Sequence, residues 1–400
     1  MNSKRQILLG DFGSLLVGQT ISEFGNSLFA ISFTWLIWTR THSTIQIGML
    51  GFLEDVPQLI LGLWIGIIIA KYDKRIILLI SDIVRGLAIL GFVIASSILS
   101  SSIAPFYFVA VIEGVMLTIF RPARMSIVPE LVGNDDLEKA NAISITLTKV
   151  MNSAGYALSG LIISIIGVAE SMIVNSLSFF ISSVFMYSIK RRVLDDNTDK
   201  SVERGFLTKL KIGMIYMFKD KRLLVVFLIG MLMNAGGSPI LTLVPALVGK
   251  ILKSNTVGYG LVFALWFLGM TVGGYIASKW KMGKPKFQSI IGFSMQGIAQ
   301  LVIGLSHEIY LSLLMFFLHG MFISIANVPF SAFIQRYVRT EHRDNFYSVF
   351  STLTMSITPL SMAGSGILAA YIGISLTFIS ISMLQISAGL LGFFLNFDMI

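Results

Sequence analysis

The side chains with the most chemical potential in this chain are a few ionisable and polar groups set inside long apolar runs. Gln19, Glu23 and Asn26 fall at i, i+4 and i+7, so on a helix they form one polar stripe on an otherwise apolar surface. Asn234, Ser238 and Thr242 make a comparable stripe further along, Asp55 and Gln58 offer a shorter one, and Glu113, Lys149 and His319 stand singly. A carboxylate in the middle of a lipid-spanning helix is costly unless it faces a partner or water. Its chemistry there is to exchange a proton or to hold a cation, and Glu23 is favoured for that role. Three readings of Glu113 stay open. It forms a fixed ion pair with Lys149, at a similar depth on a neighbouring helix, or it handles a proton or cationic substrate, or it turns outward. His319 reads first as a hydrogen-bonded packing residue and second as a coupling group. Trp35, Trp266, Phe267 and Met355 are candidates for an adaptable apolar wall around a bulky ligand.

Helices of membrane-spanning length must position these groups. Of 400 residues 55% are hydrophobic and 13% charged, with a mean hydropathy of +0.82, which is far more apolar than a soluble protein. Apolar stretches predict twelve spans, at about 11–38, 45–70, 76–98, 103–121, 141–165, 168–189, 223–248, 257–278, 288–306, 309–335, 345–370 and 373–396. The first follows Lys4 and Arg5, is of spanning length, and is expected to stay in the mature protein. Among the 30 Lys and Arg, Arg40, Lys250 and Lys253 fall in loops on one side and Arg85 and Lys149 within spans. All others lie on the opposite side, which predicts that both termini are cytoplasmic. The net charge of +9 thus follows from topology, so the expected partners are the lipid bilayer and a small molecule, with no nucleic acid. The lack of cysteine excludes disulfide and thiolate chemistry, and four dispersed histidines suggest no metal site. No cofactor is expected. No Walker-type phosphate loop and no nucleophile–base pair appears, which argues against an ATP-driven pump or an enzyme.

The longest polar stretch, 190–222, separates a six-span bundle at 1–189 from another at 223–400. Within it Phe206, Leu207, Leu210, Ile215 and Phe218 mix with Lys209, Lys211 and Lys219, as either an amphipathic helix on the inner leaflet or a flexible linker. The halves repeat weakly. Glu113-Gly114 matches His319-Gly320, and Ser159-Gly160 with Gly167 matches Ser365-Gly366 with Gly373, each shifted by 206. Gly18 and Gly25 match Gly230 and Gly237 at a shift of 212. Two parallel repeats around a central path suit a carrier whose halves rock.

Gly18-Gln19, Ser22 and Gly25-Asn26 in the first span, Arg121-Pro122-Ala123-Arg124 after the fourth and Asn141-Ala142 opening the fifth together resemble the major facilitator superfamily. They are most similar to its drug:proton antiporter branch, which includes macrolide efflux pumps. The resemblance implies an all-α membrane protein with twelve transmembrane helices in two pseudo-symmetric six-helix bundles. It implies a multi-pass monomer in the bacterial cytoplasmic membrane, working by alternating access and coupled to protons. It also implies a conformational latch after the second span, matched by Gly66, Lys71, Asp73, Lys74 and Arg75, with Asp82 and Arg85 following as an i, i+3 pair. The family's usual aspartate in that loop is Ala70 here. Glu113 stands where many antiporters carry an arginine, and Tyr156 replaces the proline of a Gly-Pro signature whose Gly155, Ser159 and Gly160 remain as packing residues. The expected function is secondary active efflux of a lipophilic or amphipathic, drug- or macrolide-like compound, with multidrug resistance as its phenotype. The alternative is a facilitator or symporter importing a small metabolite, and a membrane receptor or enzyme is more remote.

Overall fold

A computed structural model describes residues 10–99, 102–133, 136–190, 211–279 and 285–394. Every regular element among them is helical. In chain order these are α1 (Asp11–Thr41), α2 (Thr44–Lys71), α3 (Lys74–Ile98), α4 (Ala104–Val132), α5 (Leu137–Ile166) and α6 (Val168–Ser188). A short helix, α7, covers 211–219. Then come α8 (Lys221–Gly237), α9 (Pro239–Ala246) with a π turn at Leu247–Ile251, α10 (Thr256–Lys279), α11 (Pro285–Leu305), α12 (Ile309–Tyr337), α13 (Arg343–Ile372) and α14 (Ile374–Leu391).

Ten segments among the described residues are long and apolar enough to cross a membrane, with Lys221–Ile251 counting as one. The other two long helices, α1 and α2, have 31 and 28 residues. At about 1.5 Å per residue each exceeds a hydrocarbon core of roughly 30 Å. Side chains such as Ile98, Phe108 and Ile165 are about 70% exposed, as expected of surfaces solvated by lipid rather than water.

The largest boundary difference from the sequence expectation is in α4, which runs to Val132 rather than ending near 121. Pro122 and Pro129 both lie inside it, since a transmembrane helix tolerates proline when neighbours supply the missing backbone contacts. The next turn also carries information. Gly167 and Gly373, a repeat pair, end α5 and α13 at φ 98° and 90°, a conformation that side chains with a Cβ rarely adopt. Residues 191–210, with Phe206, Leu207, Lys209 and Leu210 of the anticipated amphipathic segment, lie outside the described residues. In α7, Gly213 and Met217 are buried while Ile215 and Phe218 are exposed.

The chain divides into two compact units, one of Met1–Ile37 and Leu53–Glu203, the other of Trp38–Phe52 and Arg204–Ile400. The first places a polar layer between two apolar ones. Phe12, Leu15 and Leu16 of α1 pack with Ile65, Ile69, Ile77, Leu78, Phe120 and Ala123. Further along the same helices Phe33, Phe92 and Phe106 form a ring cluster with centroids 4.8 to 5.4 Å apart. Gln19 to Asn26, Asp82, Arg85 and Glu113 fall between these layers. In the second unit, the start of α2 crosses α13. Thr44 Oγ1 donates to the Gly366 carbonyl at 2.8 Å, and Gly48 meets Gly366 backbone to backbone.

Candidate functional site

An ion pair between α3 and α4 lies in the polar layer of the first unit. Arg85 Nε and Nη2 both stand 2.7 Å from Glu113 Oε2, and each side chain is only 3% exposed. Nη2 also donates to Asn26 Oδ1 on α1 at 2.9 Å, and the flat face of the guanidinium covers the Phe179 ring of α6 at 4.0 Å. Side chains from three neighbouring helices therefore hold one cation by hydrogen bonds and ring stacking, which suits the planar fork of arginine. Glu113 Oε1 is buried without a hydrogen-bond partner, so this carboxylate is only half satisfied.

The expected partners are corrected at two points. Glu113 pairs with Arg85 and not with Lys149, whose side chain is exposed on α5. Asp82 does not pair with Arg85 at i, i+3. It is fully buried beside Ser182, with neither carboxylate oxygen in a hydrogen bond of ordinary geometry. The Arg85 fork is taken up by Glu113 and Asn26 on neighbouring helices, while Asp82 turns to Ser182 of α6.

Glu23 has a partner of its own. Arg124 Nη1 lies 3.5 Å from Glu23 Oε1, with the two side chains 21% and 19% exposed. Arg121, one turn earlier on α4, lies within electrostatic reach of Asp55 and Arg124. Glu54 lies within reach of Asp55, Glu113 and Arg85, and Tyr156 faces Glu54, Glu23 and Arg121. One connected cluster thus carries five carboxyls, Glu23, Glu54, Asp55, Asp82 and Glu113, against the guanidiniums of Arg85, Arg121 and Arg124. Glu54, Arg121 and Arg124 were not singled out from the sequence as members of this site. The signal for Glu54 was its place next to Asp55 in an apolar run. For the arginines it was hidden once Pro122 was read as the end of a helix.

Other polar candidates have structural duties. Gln19 donates to Thr148 Oγ1 and accepts from Ser144 at 3.4 Å, tying α1 to α5, while Gln58 is exposed on α2. Among the proposed latch residues, Asp73 caps α3 through Arg75 N at 2.9 Å, and Lys74 pairs with Glu130 of α4. Arg75 Nη1 donates to the Ile189 carbonyl after α6 at 2.7 Å. Lys71 lies over the Tyr72 ring, and Gly66 is exposed.

The second unit has the same skeleton with different chemistry. The shift of 206 carries Glu113 onto His319, the shift of 212 carries Asn26 onto Ser238 and Glu54 onto Trp266, and the helix starts Lys74 and Pro285 give a shift of 211 that carries Arg85 onto Gln296. Contacts repeat as well. A Cβ on Gly114 would strike the Glu54 carbonyl, and one on Gly320 the Trp266 carbonyl. In both units a glycine therefore brings the two backbones together beside the key side chain. Trp266 Nε1 donates to His319 Nδ1 at 3.0 Å. Asn234, Ser238, Trp266, Gln296 and His319 line a cavity of about 380 Å³ together with Phe293, Phe330, Tyr347 and Phe350. Phe267 and Met355 are not among its lining residues. Among the described residues no cluster of His, Asp or Glu could hold a metal ion.

Helices long enough to span a bilayer, arranged as a repeat, with polar groups held in mid-helix, define a polytopic membrane carrier. The chain matches the Major Facilitator Superfamily over residues 15–360 and 241–398 and belongs to that family. It is a membrane transporter and not an enzyme. It is 24% identical to the Staphyloferrin A transporter of Staphylococcus aureus, covering 93% of each chain, and 21% identical to Macrolide efflux protein A of Streptococcus pyogenes, covering 91% and 90%. Its fold is that of the nucleoside transporter NupG, with a TM-score of 0.74 at 12% identity over 97% of this chain and 99% of that one.

Proposed function

We propose that this transporter exports a lipophilic or amphipathic compound by secondary active transport, with proton influx driving the cycle. The observation that carries the reading is the charge balance of the first unit: five carboxyls face three guanidiniums in one connected cluster, with Asp82, Arg85 and Glu113 buried, Glu23, Glu54, Asp55 and Arg124 half-buried and Arg121 exposed. With every group ionised the cluster has two negative charges in excess, and uncompensated buried charge is costly. Two protons, or a cationic ligand with a proton, restore neutrality. Glu23 is the group best placed to exchange, because its arginine contact is long and both side chains retain exposure. Glu113 and Asp82 are sealed, and Arg85 reports their charge to Asn26 and α1.

Export rather than import is supported by the relative named for macrolide efflux. The distribution of Lys and Arg supports a bacterial cytoplasmic membrane with both termini inside. The latch contacts of Asp73, Lys74 and Arg75 fit a loop that clamps the ends of α3, α4 and α6 in one conformation. The test is accumulation of radiolabelled erythromycin in inside-out proteoliposomes under an imposed pH gradient. Glu23→Gln is expected to abolish the response to the gradient while leaving insertion intact. Gradient-driven flux unchanged in Glu23→Gln, or wild-type flux indifferent to the gradient, would overturn the reading.

A further inference from the structure

Asp82 of α3 lies within electrostatic reach of Arg85, Glu113 and Glu23. Glu113 is paired with Arg85 and Glu23 with Arg124, but no ion pair among the described residues includes Asp82. Its side chain is fully buried, and neither oxygen has a hydrogen bond of ordinary geometry. A lone carboxylate in such a place is costly, so it must be neutralised by a proton or by a cation.

The neighbouring oxygens favour the cation. Ser182 of α6 is fully buried beside Asp82, and its Oγ likewise has no hydrogen bond of ordinary geometry. This is an exception on its helix. Ser171, Ser178, Ser183 and Ser188 each donate to a carbonyl three or four residues earlier, and Ser176 donates to the Gly86 carbonyl. Ser182 forgoes that bond and keeps its oxygen for another partner. A third oxygen comes from Ser22 of α1, which is 3% exposed and shares a helix face with Gly18 and Gly25. A Cβ on Gly18 would meet Ser182 Oγ, and one on Gly25 would meet Ser178 Oγ and Asn175 Oδ1, so Ser22 faces α6 between these levels. Its hydroxyl donates to the Gln19 carbonyl and retains its lone pairs. A proton on Asp82 would serve one of these oxygens and leave the others unmet. A metal cation meets them together, because each presents lone pairs and none has to donate.

We infer that Asp82, Ser182 and Ser22 form a site for a monovalent metal cation, sodium, held between α1, α3 and α6. Hard oxygen donors do not suit soft metals. Divalent ions call for several acids, and among the described residues no cluster of acids or histidines could hold one. One carboxylate with neutral hydroxyls matches a single positive charge, and close-packed surroundings favour sodium over the larger potassium ion. Arg85 is balanced by Glu113 and Arg124 by Glu23, so the local excess is the one negative charge of Asp82, which the ion cancels. Glu23 remains free to exchange a proton, and the site therefore stands whether or not proton influx drives the cycle.

The test is thermal unfolding of the full-length protein in detergent micelles, with sodium chloride replacing choline chloride at a constant ionic strength of roughly 0.15 M. An ion that binds only the folded state stabilises it, so sodium is expected to raise the melting temperature by about 3 °C or more, and potassium clearly less. Asp82→Asn should abolish the rise. Ser182→Ala removes one hydroxyl and no charge, so it keeps the test open if Asp82→Asn does not fold. It should raise the sodium concentration at the half-maximal shift by about tenfold or more. Ser183→Ala deletes the adjacent hydroxyl, which is bound to the Phe180 carbonyl, and should respond to sodium as the wild type does. Equilibrium binding gives a second readout: the wild type should retain radioactive sodium that unlabelled sodium displaces, and Asp82→Asn should retain none. A wild type indifferent to sodium would show that a proton neutralises Asp82 and would overturn the assignment. So would an equal rise with potassium, a rise that survives in Asp82→Asn, or the same loss in Ser182→Ala and Ser183→Ala.

Discussion

Replacing Glu113 by Gln removes one half of the most deeply buried ion pair among the described residues. At the observed 2.7 Å separation, opposite unit charges attract by about 6 kcal/mol at an effective dielectric of ~20. Desolvation of both ions consumes much of that, so the intact pair contributes little net stability. Breaking it differs in kind, since an arginine left buried without its counter-ion costs about 3–5 kcal/mol. Arg85 would keep Asn26 and the Phe179 face, with Glu54 and Asp82 within electrostatic reach. The lower end, about 3 kcal/mol, is therefore expected for Glu113→Gln. Arg85→Met should cost at least as much, because it strands three carboxyls instead of one guanidinium. The double variant Arg85→Met/Glu113→Gln should be more stable than the sum of the single losses implies, with a coupling energy of about 2 kcal/mol or more. Denaturant unfolding of the purified protein in mixed micelles, followed by the same probe for all four proteins, reads these values. Additive losses, or a Glu113→Gln variant within about 0.5 kcal/mol of wild type, would refute the assignment of Arg85 as the partner.

Lys149→Ala should change stability by no more than about 0.5 kcal/mol and show no coupling to Glu113→Gln, because the lysine is exposed; a coupling above about 1 kcal/mol in the same unfolding assay would restore the pairing expected from sequence. Gly114→Val should destabilise by about 1–3 kcal/mol, since the Glu54 carbonyl occupies the space a Cβ needs and a backbone atom cannot rotate away. A variant with unchanged thermal unfolding would show that α2 and α4 do not cross there. Trp266→Phe keeps the ring bulk but deletes the hydrogen bond that holds His319 Nδ1, and should cost about 1–3 kcal/mol. A loss no larger than that of a distant surface substitution would count against the orienting role of the indole.

The class of fold was legible because bilayer physics is blunt: runs of apolar side chains near twenty residues long announce helices. The polar stripe of α1 was legible for a similar reason, since i, i+4, i+7 spacing leaves little freedom about which groups share a face. Partner choice was not. Lys149 and Glu113 sit at similar depths, but depth does not specify azimuth, and a rotation of one helix decides whether a lysine points to a neighbour or to lipid. Arg85 was visible as an intramembrane cation, yet its i, i+3 neighbour Asp82 drew the pairing because local spacing can be read directly and a contact between helices cannot. Pro122 misled in another way. Local chemistry made it a terminator, while packing let α4 continue to Val132 and so placed Arg121 and Arg124 beside the acids of α1 and α2.

The repeat explains why the two units share a geometry and differ in chemistry. Glycine beside the key residue fixes how closely two helix backbones approach, and this constraint has been met in both halves, by Gly114 against Glu54 and by Gly320 against Trp266. Once the backbones are set, the side chains at the crossing are free to vary in type, provided each buried group finds a partner. Arginine with glutamate meets that condition by charge, at the expense of strict neutrality for the whole cluster. Tryptophan with histidine meets it by a neutral hydrogen bond, with Gln385 of α14 beside the remaining ring nitrogen.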